Sequence, residues 1–496
     1  MPRATAHRSL ITALFIVSLL GAMNVTIVSA SLATIVGDLG GLEHIAWAVT
    51  AYTLAGTVMI PVVGQLGDLL GRRPVLLGSI VVYTIGSLLC GLADSMLTLT
   101  LTRALAGAGG AAIGLLPQTI IADVFPPRDR AKWASLLASV FGIATVAGPA
   151  IGGIVTDTLG WRWIFFLNLP FALVALALAW RSVPQIREER VTRLDYPGAA
   201  LVGVAVTGLT LLATLGGRAW AWTSPPALLT AAVSVAAAVG LVLVERRAAQ
   251  PIVPFQMFRA FGVRPAMVLA VTTGAGMLSL VSYLPAYAQM HYNTSTVVAG
   301  MVPVGITVGL IIASNTTGHL VSRTGRYWAY PVVGTIIGAT ALLLAGLTLP
   351  RLPLWLLAGL FVLVGLGTGT FLQLSVVLIQ SSAPRRFLGV ATSTTNLFRQ
   401  MGITLGTAMA GGFLGAELAR RLADTSLPDG VSASSLTPAV LAEATTEVRA
   451  EIAAAYSGAM APILLAAGGL YACAIVAAVV LPRHLLDVEP ARADAD

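Results

Sequence analysis

The sequence predicts an all-α polytopic membrane protein of fourteen transmembrane spans. Three observations carry this. The 496 residues are 57% hydrophobic and only 10% charged, a balance that excludes a soluble globular domain. The apolar residues fall in runs of about 20, the length that crosses a bilayer as a helix. The basic residues collect in alternate connections, which is the positive-inside pattern. The net charge of +8 is therefore a topology signal and calls for no nucleic-acid partner.

The runs lie near 10–36, 45–66, 75–93, 97–122, 133–156, 162–180, 197–215, 226–244, 264–289, 296–317, 328–348, 354–380, 388–414 and 459–481. Arg3, His7 and Arg8 ahead of the first run, with Ser29-Ala30-Ser31 inside it, mimic a signal peptide. The run continues to Val36, long enough to span, and reads as a retained first helix. One side of the membrane collects Arg72, Arg73, Arg128, Arg130, Lys132, Arg181, Arg187, Arg190, Arg193, Arg246, Arg247, Arg259, Arg323, Arg326, Arg385, Arg386 and Arg483. The other collects Asp38, Glu43, Asp94 and Asp157. Both termini are then expected in the cytoplasm. The last external connection, 416–457, is long, and its Leu441–Ala455 part reads as a surface helix. Cys90 and Cys473 sit in apolar runs and read as buried packing thiols.

The two halves repeat weakly. Gly64-Gln65-Leu66-Gly67-Asp68 and the residues up to Arg72 find an echo in Gly318–Arg326, and Phe125–Arg128 finds one in Ser382–Arg385. Both echoes lie about 255 residues apart. Two six-helix repeats plus one extra pair of spans give fourteen. The expected division is 1–190 for an N-terminal six-helix bundle, 191–250 for two additional helices and 251–496 for a C-terminal six-helix bundle. Parallel repeats of this kind place a substrate site between the halves near the midplane.

Polar residues inside apolar runs are costly and mark candidate functional positions. In Gly64–Pro74, Gly64, Gly67 and Gly71 permit tight turns, Asp68 and Arg72 stand four apart, and Arg72 and Arg73 mark the cytoplasmic side. Span one carries Asn24 and Ser31 on one face, with Thr26 and Ser29 as a second polar strip. Such groups either bond neighbouring helices or line a cavity. Tyr52, deep in span two, reads either as packing or as cavity lining. Arg103, in span four ahead of Gly107, Gly109 and Gly110, costs roughly 2.5 kcal/mol or more inside a bilayer unless it snorkels to the surface. Gly148-Pro149 and Gly152-Gly153 in span five read as a close-packing and hinge element. Span thirteen carries Asn396, Arg399 and Gln400, with Arg399 roughly 18 Å into the span at the usual helical rise.

Together these residues resemble the major facilitator superfamily, and within it the fourteen-span drug:proton antiporter branch of the EmrB/QacA type. Gly64–Arg73 is similar to the superfamily's signature loop, Arg103 with its glycines to the span-four motif, and Gly148–Gly153 to the span-five motif of antiporters. Trp161–Pro170 resembles the segment that opens span six in that branch. The resemblance covers nearly the whole chain. It implies that the Asp68/Arg72 loop controls switching between inward- and outward-open states, and that Arg103 serves proton coupling. In one place the chain departs from the branch: Asn24 stands where the branch has an aspartate, Ser29 replaces a later asparagine, and Ala33 stands where a proline is common. An amide does not titrate. Asp123, one turn inside span four, is the deepest carboxylate that remains.

The expected function is secondary active efflux of drug-like or amphiphilic small molecules by alternating access, in exchange for protons, by a monomer in the plasma (inner) membrane. No phosphate-cradling Gly-rich loop followed by Lys-Ser/Thr is present to bind ATP, and no cofactor is implied. Arg103 and Arg399 together predict an electropositive cavity that favours a neutral or anionic substrate over a cation. Two other readings stand beside this one: an exporter of a lipid or endogenous metabolite with weak or absent coupling, and a non-transporting membrane sensor or assembly partner. Enzymatic activity is not expected, because His7, His44, His291, His319 and His484 are scattered and build neither a triad nor a metal site.

Overall fold

The computed structural model describes residues 2–39, 45–185, 193–217, 220–248, 250–383, 387–423 and 445–483. Among these the architecture is helical, with no β-strand. In chain order the long helices are α1 (Pro2–Leu39), α2 (Ile45–Leu70), α3 (Arg72–Gly91), α4 (Met96–Val124) and α5 (Pro127–Leu159). They continue with α6 (Trp163–Ser182), α7 (Tyr196–Leu215), α8 (Pro225–Glu245), α9 (Val263–Tyr292) and α10 (Thr296–Thr324). The last four are α11 (Ala329–Thr348), α12 (Leu354–Ser382), α13 (Leu388–Arg421) and α14 (Thr446–Val480).

Among the described residues, thirteen helices are long and apolar enough to cross a membrane. The fourteenth, α13, has the length but buries a polar row, Thr392 to Asn396. Most of that row finds its partners inside the protein: Gln380 donates to the Thr392 hydroxyl at 2.9 Å, and Asn396 donates to the Thr392 carbonyl at 2.9 Å.

Two expectations about connections are corrected. Gly64–Arg73 is not an open loop: α2 runs unbroken to Leu70, α3 begins at Arg72, and only Gly71 joins them. Gly71 takes φ 96°, a conformation that glycine alone adopts without strain. The surface helix expected at Leu441–Ala455 is not separate either. From Thr446 onward it is the first part of α14, with Thr445 capping the N-terminus through the Val448 amide; residues 441–444 lie outside those described. Pro384 and Arg385 of the second echo also lie outside them. Of the two cysteines, Cys90 is buried and Cys473 is exposed, so Cys473 is no packing thiol.

α1 to α6 pack on one another around one apolar core that includes Leu14, Leu76, Tyr83 and Leu116. α9 to α14 surround a second, which includes Leu342, Phe361, Phe371 and Tyr471. α7 and α8 pair with each other, and α7 rests against α2 and α13. The halves meet along two seams, α2 on α13 and α5 on α10. At the seam end that carries Gly71, contact is close: a Cβ on Gly64 would lie 2.6 Å from the Ser393 Cβ, and one on Gly318 would lie 2.7 Å from the Ala131 carbonyl oxygen. The Gly64–Arg72 segment and its echo thus do the same work on opposite seams.

Candidate functional site

Between the halves lies a cavity of about 330 Å3, lined by α1, α2, α4 and α5 on one side and α9, α10, α12 and α13 on the other. Its wall is mostly apolar, with Ile60, Leu137, Met277, Leu310 and Ile403 among the lining residues. The polar lining groups are Ser18, Tyr52, Thr53, Thr57, Gln118, Gln373, Asn396, Arg399 and Gln400. Arg399 is the single charged side chain among the described lining residues, and no carboxylate accompanies it. Its guanidinium donates to the Asn396 side-chain carbonyl, and Asn396 in turn approaches Gln118 at 3.3 Å.

A break in helical regularity shapes the opposite wall. Thr273–Leu278 of α9 forms a π-turn, an element that recurs at functional sites. Met277 and Leu278 project from it into the cavity, and Gly274 lies against the Arg399 backbone. No periodicity announced this turn; Gly274 and Gly276 in an apolar run were its only trace.

Of the residues singled out from sequence, Tyr52, Asn396, Arg399 and Gln400 line the cavity, and Asn24, Thr26, Arg103 and Asp123 do not. Arg103 neither snorkels nor faces the cavity. It is 1% exposed, donates from Nε to the Ala48 carbonyl at 2.9 Å and bonds the Asn24 side-chain oxygen. Its guanidinium lies over the Tyr52 ring, 4.4 Å from the centroid. Tyr52 therefore stands between Arg103 and the cavity. Space for that ring comes from Gly110, where a Cβ would lie 2.5 Å from the tyrosine hydroxyl. The expected pair of cavity arginines is thus corrected to one, Arg399.

Thr26 donates to the Ala144 carbonyl at 2.9 Å, and Ser31 bonds the Thr156 hydroxyl at 2.6 Å. The polar face of α1 is spent on α4 and α5. Gly148 and Gly152 complete that contact: a Cβ at Gly152 would lie 2.7 Å from the Ile27 carbonyl oxygen. Pro149 is exposed, and a Cβ on Gly153 would meet nothing within 4 Å. Gly148 and Gly152 therefore face α1, while Pro149 and Gly153 lie on a neighbouring face turned away from it.

Asp123 belongs to a different cluster. Arg72 pairs with Asp68 across the Gly71 break and donates from Nε to Asp123 at 2.9 Å. Asp68 also accepts the Val390 backbone amide at 3.2 Å, in the first turn of α13. A carboxylate at a helix N-terminus takes an otherwise unpaired N–H and favours the positive end of the helix dipole. The cluster thereby ties α2, α3 and α4 to the other half. Gly67 lies against it: a Cβ there would sit 2.9 Å from the Arg72 Nη1 atom. Arg73 stands apart, over the Trp180 ring at 5.0 Å. On the second seam Ser322 donates to Asp129 at 3.1 Å, in the first turn of α5.

The chain matches the Major Facilitator Superfamily over residues 14–407. It is 37% identical over 472 residues to an uncharacterised MFS-type transporter of Mycobacterium tuberculosis, spanning 95% of this chain and 69% of that protein. It is 31% identical over 419 residues to the multidrug transporter protein MdtP of Bacillus subtilis, spanning 84% and 77%. Multidrug resistance protein 3 of Bacillus subtilis is 32% identical over 395 residues, spanning 79% and 77%. Among solved structures, the human organic anion transporter MFSD10 superposes with a TM-score of 0.62 at 14% identity, over 95% of this chain and 99% of that one. A bacterial homologue of the lysosomal transporter Spinster does so with a TM-score of 0.57 at 17% identity, over 98% and 99%.

Proposed function

The chain belongs to the major facilitator superfamily, and we propose that it is a secondary active exporter of drug-like or amphiphilic small molecules, driven by proton exchange. We assign it to the fourteen-span drug:proton antiporter branch, in the plasma (inner) membrane, with both termini cytoplasmic and the halves at 1–190 and 251–496. The observation that carries this reading is the inter-half cavity. Its volume of about 330 Å3 suits a small ligand, and its apolar wall with a few convergent polar groups is the usual composition of such a site. The names of the Bacillus subtilis relatives support multidrug export.

The preferred substrate is neutral or anionic. Arg399 faces the cavity with no carboxylate beside it, and an uncompensated cation in low dielectric repels a second one. Arg103, screened by Tyr52, contributes at longer range.

Coupling has to bypass position 24, where the amide of Asn24 accepts from Arg103 and does not titrate. The Asp68–Arg72–Asp123 cluster holds two carboxylates against one guanidinium. A proton delivered there neutralises the surplus charge and weakens the hold of Asp68 on the first turn of α13. Releasing that hold separates α2 from α13 and opens the cavity toward the cytoplasm, the step that alternating access requires.

Purified protein in liposomes, offered cationic, neutral and anionic amphiphiles, tests the reading. We expect proton movement driven by an anionic or neutral substrate, lost in Asp123→Asn and kept in Asn24→Ala. Substrate movement without proton movement would favour the second reading, a lipid or metabolite exporter uncoupled by loss of the span-one carboxylate. Cation transport that vanishes in Asn24→Ala and survives removal of Arg103 would overturn the substrate assignment.

A further inference from the structure

We infer that the junction between α8 and α9 is a binding site for the headgroup of an anionic phospholipid from the cytoplasmic leaflet. A pocket of about 620 Å3 lies there, separate from the central cavity, lined by Glu245, Arg246, Phe255, Phe258, Arg259 and Arg264 among others. Three arginines converge on it from three elements: the end of α8, the short 3-10 turn Phe255–Arg259, and the first turn of α9. All three are exposed at the surface. Arg264 spends its Nε on the Phe258 carbonyl at 2.6 Å, which leaves both of its terminal nitrogens for a ligand. Planar guanidinium groups match phosphate oxygens in pairs.

A second observation points to a ligand. Glu245 is 4% exposed and lines the same pocket. Its Oε1 accepts the amides of Ile252 and Val253, each at 3.2 Å, but its Oε2 is buried without a partner. A buried carboxylate oxygen without a donor is costly. A headgroup that carries hydroxyl donors beyond its phosphate supplies one.

The surroundings distinguish a lipid from a free phosphate. Val239 and Leu243, 54% and 57% exposed, stand seven and three residues before Arg246, so all three share one face of α8. Val268, 42% exposed, follows Arg264 by one turn of α9. Phe261, 68% exposed, stands in the chain between Arg259 and Arg264. α8 thus presents an exposed apolar stripe that ends in arginine, and α9 adds Val268 one turn from Arg264. Acyl chains fit along the α8 stripe and against Val268 while the arginines hold the phosphate, the arrangement of basic pockets between membrane helices.

The leaflet assignment rests on the orientation proposed above; binding itself does not. Native mass spectrometry of the full chain, delipidated in detergent, tests binding with phosphatidylglycerol, phosphatidylcholine and inorganic phosphate as probes. The wild type is expected to retain phosphatidylglycerol in preference to phosphatidylcholine. In Arg246→Gln/Arg259→Gln retention should fall by at least about tenfold, since each basic residue near an anionic surface contributes roughly fivefold. Equal retention in the double variant, or no preference over phosphatidylcholine, overturns the inference. Displacement of the lipid by millimolar inorganic phosphate also overturns it, in favour of a soluble-anion site. Arg259→Gln alone, with a lesser loss expected, serves if the double variant does not fold. Labelling of Phe261→Cys from outside intact cells, in a chain lacking Cys473, reads the leaflet separately.

Discussion

Arg103 and Arg399 are the same residue type inside apolar runs, yet the structure gives them opposite surroundings. Arg103 is closed off by Asn24, the Ala48 carbonyl and the Tyr52 ring. Arg399 has one side-chain partner, Asn396, and faces the cavity. Replacing Arg399 with Gln is therefore expected to weaken transport of an anionic amphiphile by roughly tenfold or more, the worth of a hydrogen bond to a charged group. Transport of a neutral one should change little. Equal losses for both in a liposome uptake assay would place Arg399 in the structural frame instead of the binding site. At the C-terminal end of α1, Asp38 accepts Trp161 Nε1 at 2.9 Å and Arg162 Nη1 at 2.7 Å. These two bonds hold its carboxyl below the ordinary value of 3.8, the tryptophan bond most. A lowered folded-state value adds stability above the unfolded value and loses it as pH falls through the folded one. The thermal midpoints of wild type and Asp38→Asn should differ at neutral pH and converge in acid below 3.8; a gap that persists in acid would rule this out.

At the scale of elements, the α1–α5 contact is built on small residues, and enlarging one of them tests it. Gly152→Leu drives a side chain into the Ile27 backbone, and overpacking of this kind costs about 1–3 kcal/mol. The expected result is a lower thermal midpoint in detergent, and an unchanged midpoint would show that α1 and α5 part easily. The α2–α13 contact is held by charge as well as by fit. Asp68→Asn keeps a hydrogen-bond acceptor for the Val390 amide but removes the charge that favours the α13 N-terminus, an effect of about 0.3–2 kcal/mol. It should leave the fold intact while reducing transport. Normal transport by a well-folded Asp68→Asn protein would remove this cluster from the mechanism. The apolar faces of these elements were readable, because a bilayer demands long apolar runs. The polar face of α13 was readable only as isolated residues, since most of its row from Thr392 to Asn396 bonds within the protein.

For the whole molecule, the named contacts between the halves run from the level of the cavity floor, where Gln118 meets Asn396, down to Asp68 with Val390 and Asp129 with Ser322. The cavity is thereby closed on the side of the Gly71 turn. A thiol at Thr53, which lines the cavity, should react with a polar reagent added on the opposite side faster than a thiol at Ser393, which is buried in the seam. Faster reaction at Ser393 from the Gly71 side would mean that the resting protein opens inward.

The sequence by itself determined the spans, their alternation and the paired Gly64 and Gly318 segments. Hydropathy and charge act on each segment separately, and a bilayer reads them without reference to any other helix. Only the tertiary structure decided which polar side chains meet the cavity. Asn24, Arg103 and Arg399 carry equal warning as polar groups in apolar runs. Whether each one faces a neighbouring helix or an opening depends on helix rotation and on the seating of Tyr52 against Gly110, and these follow from packing between segments far apart in the chain.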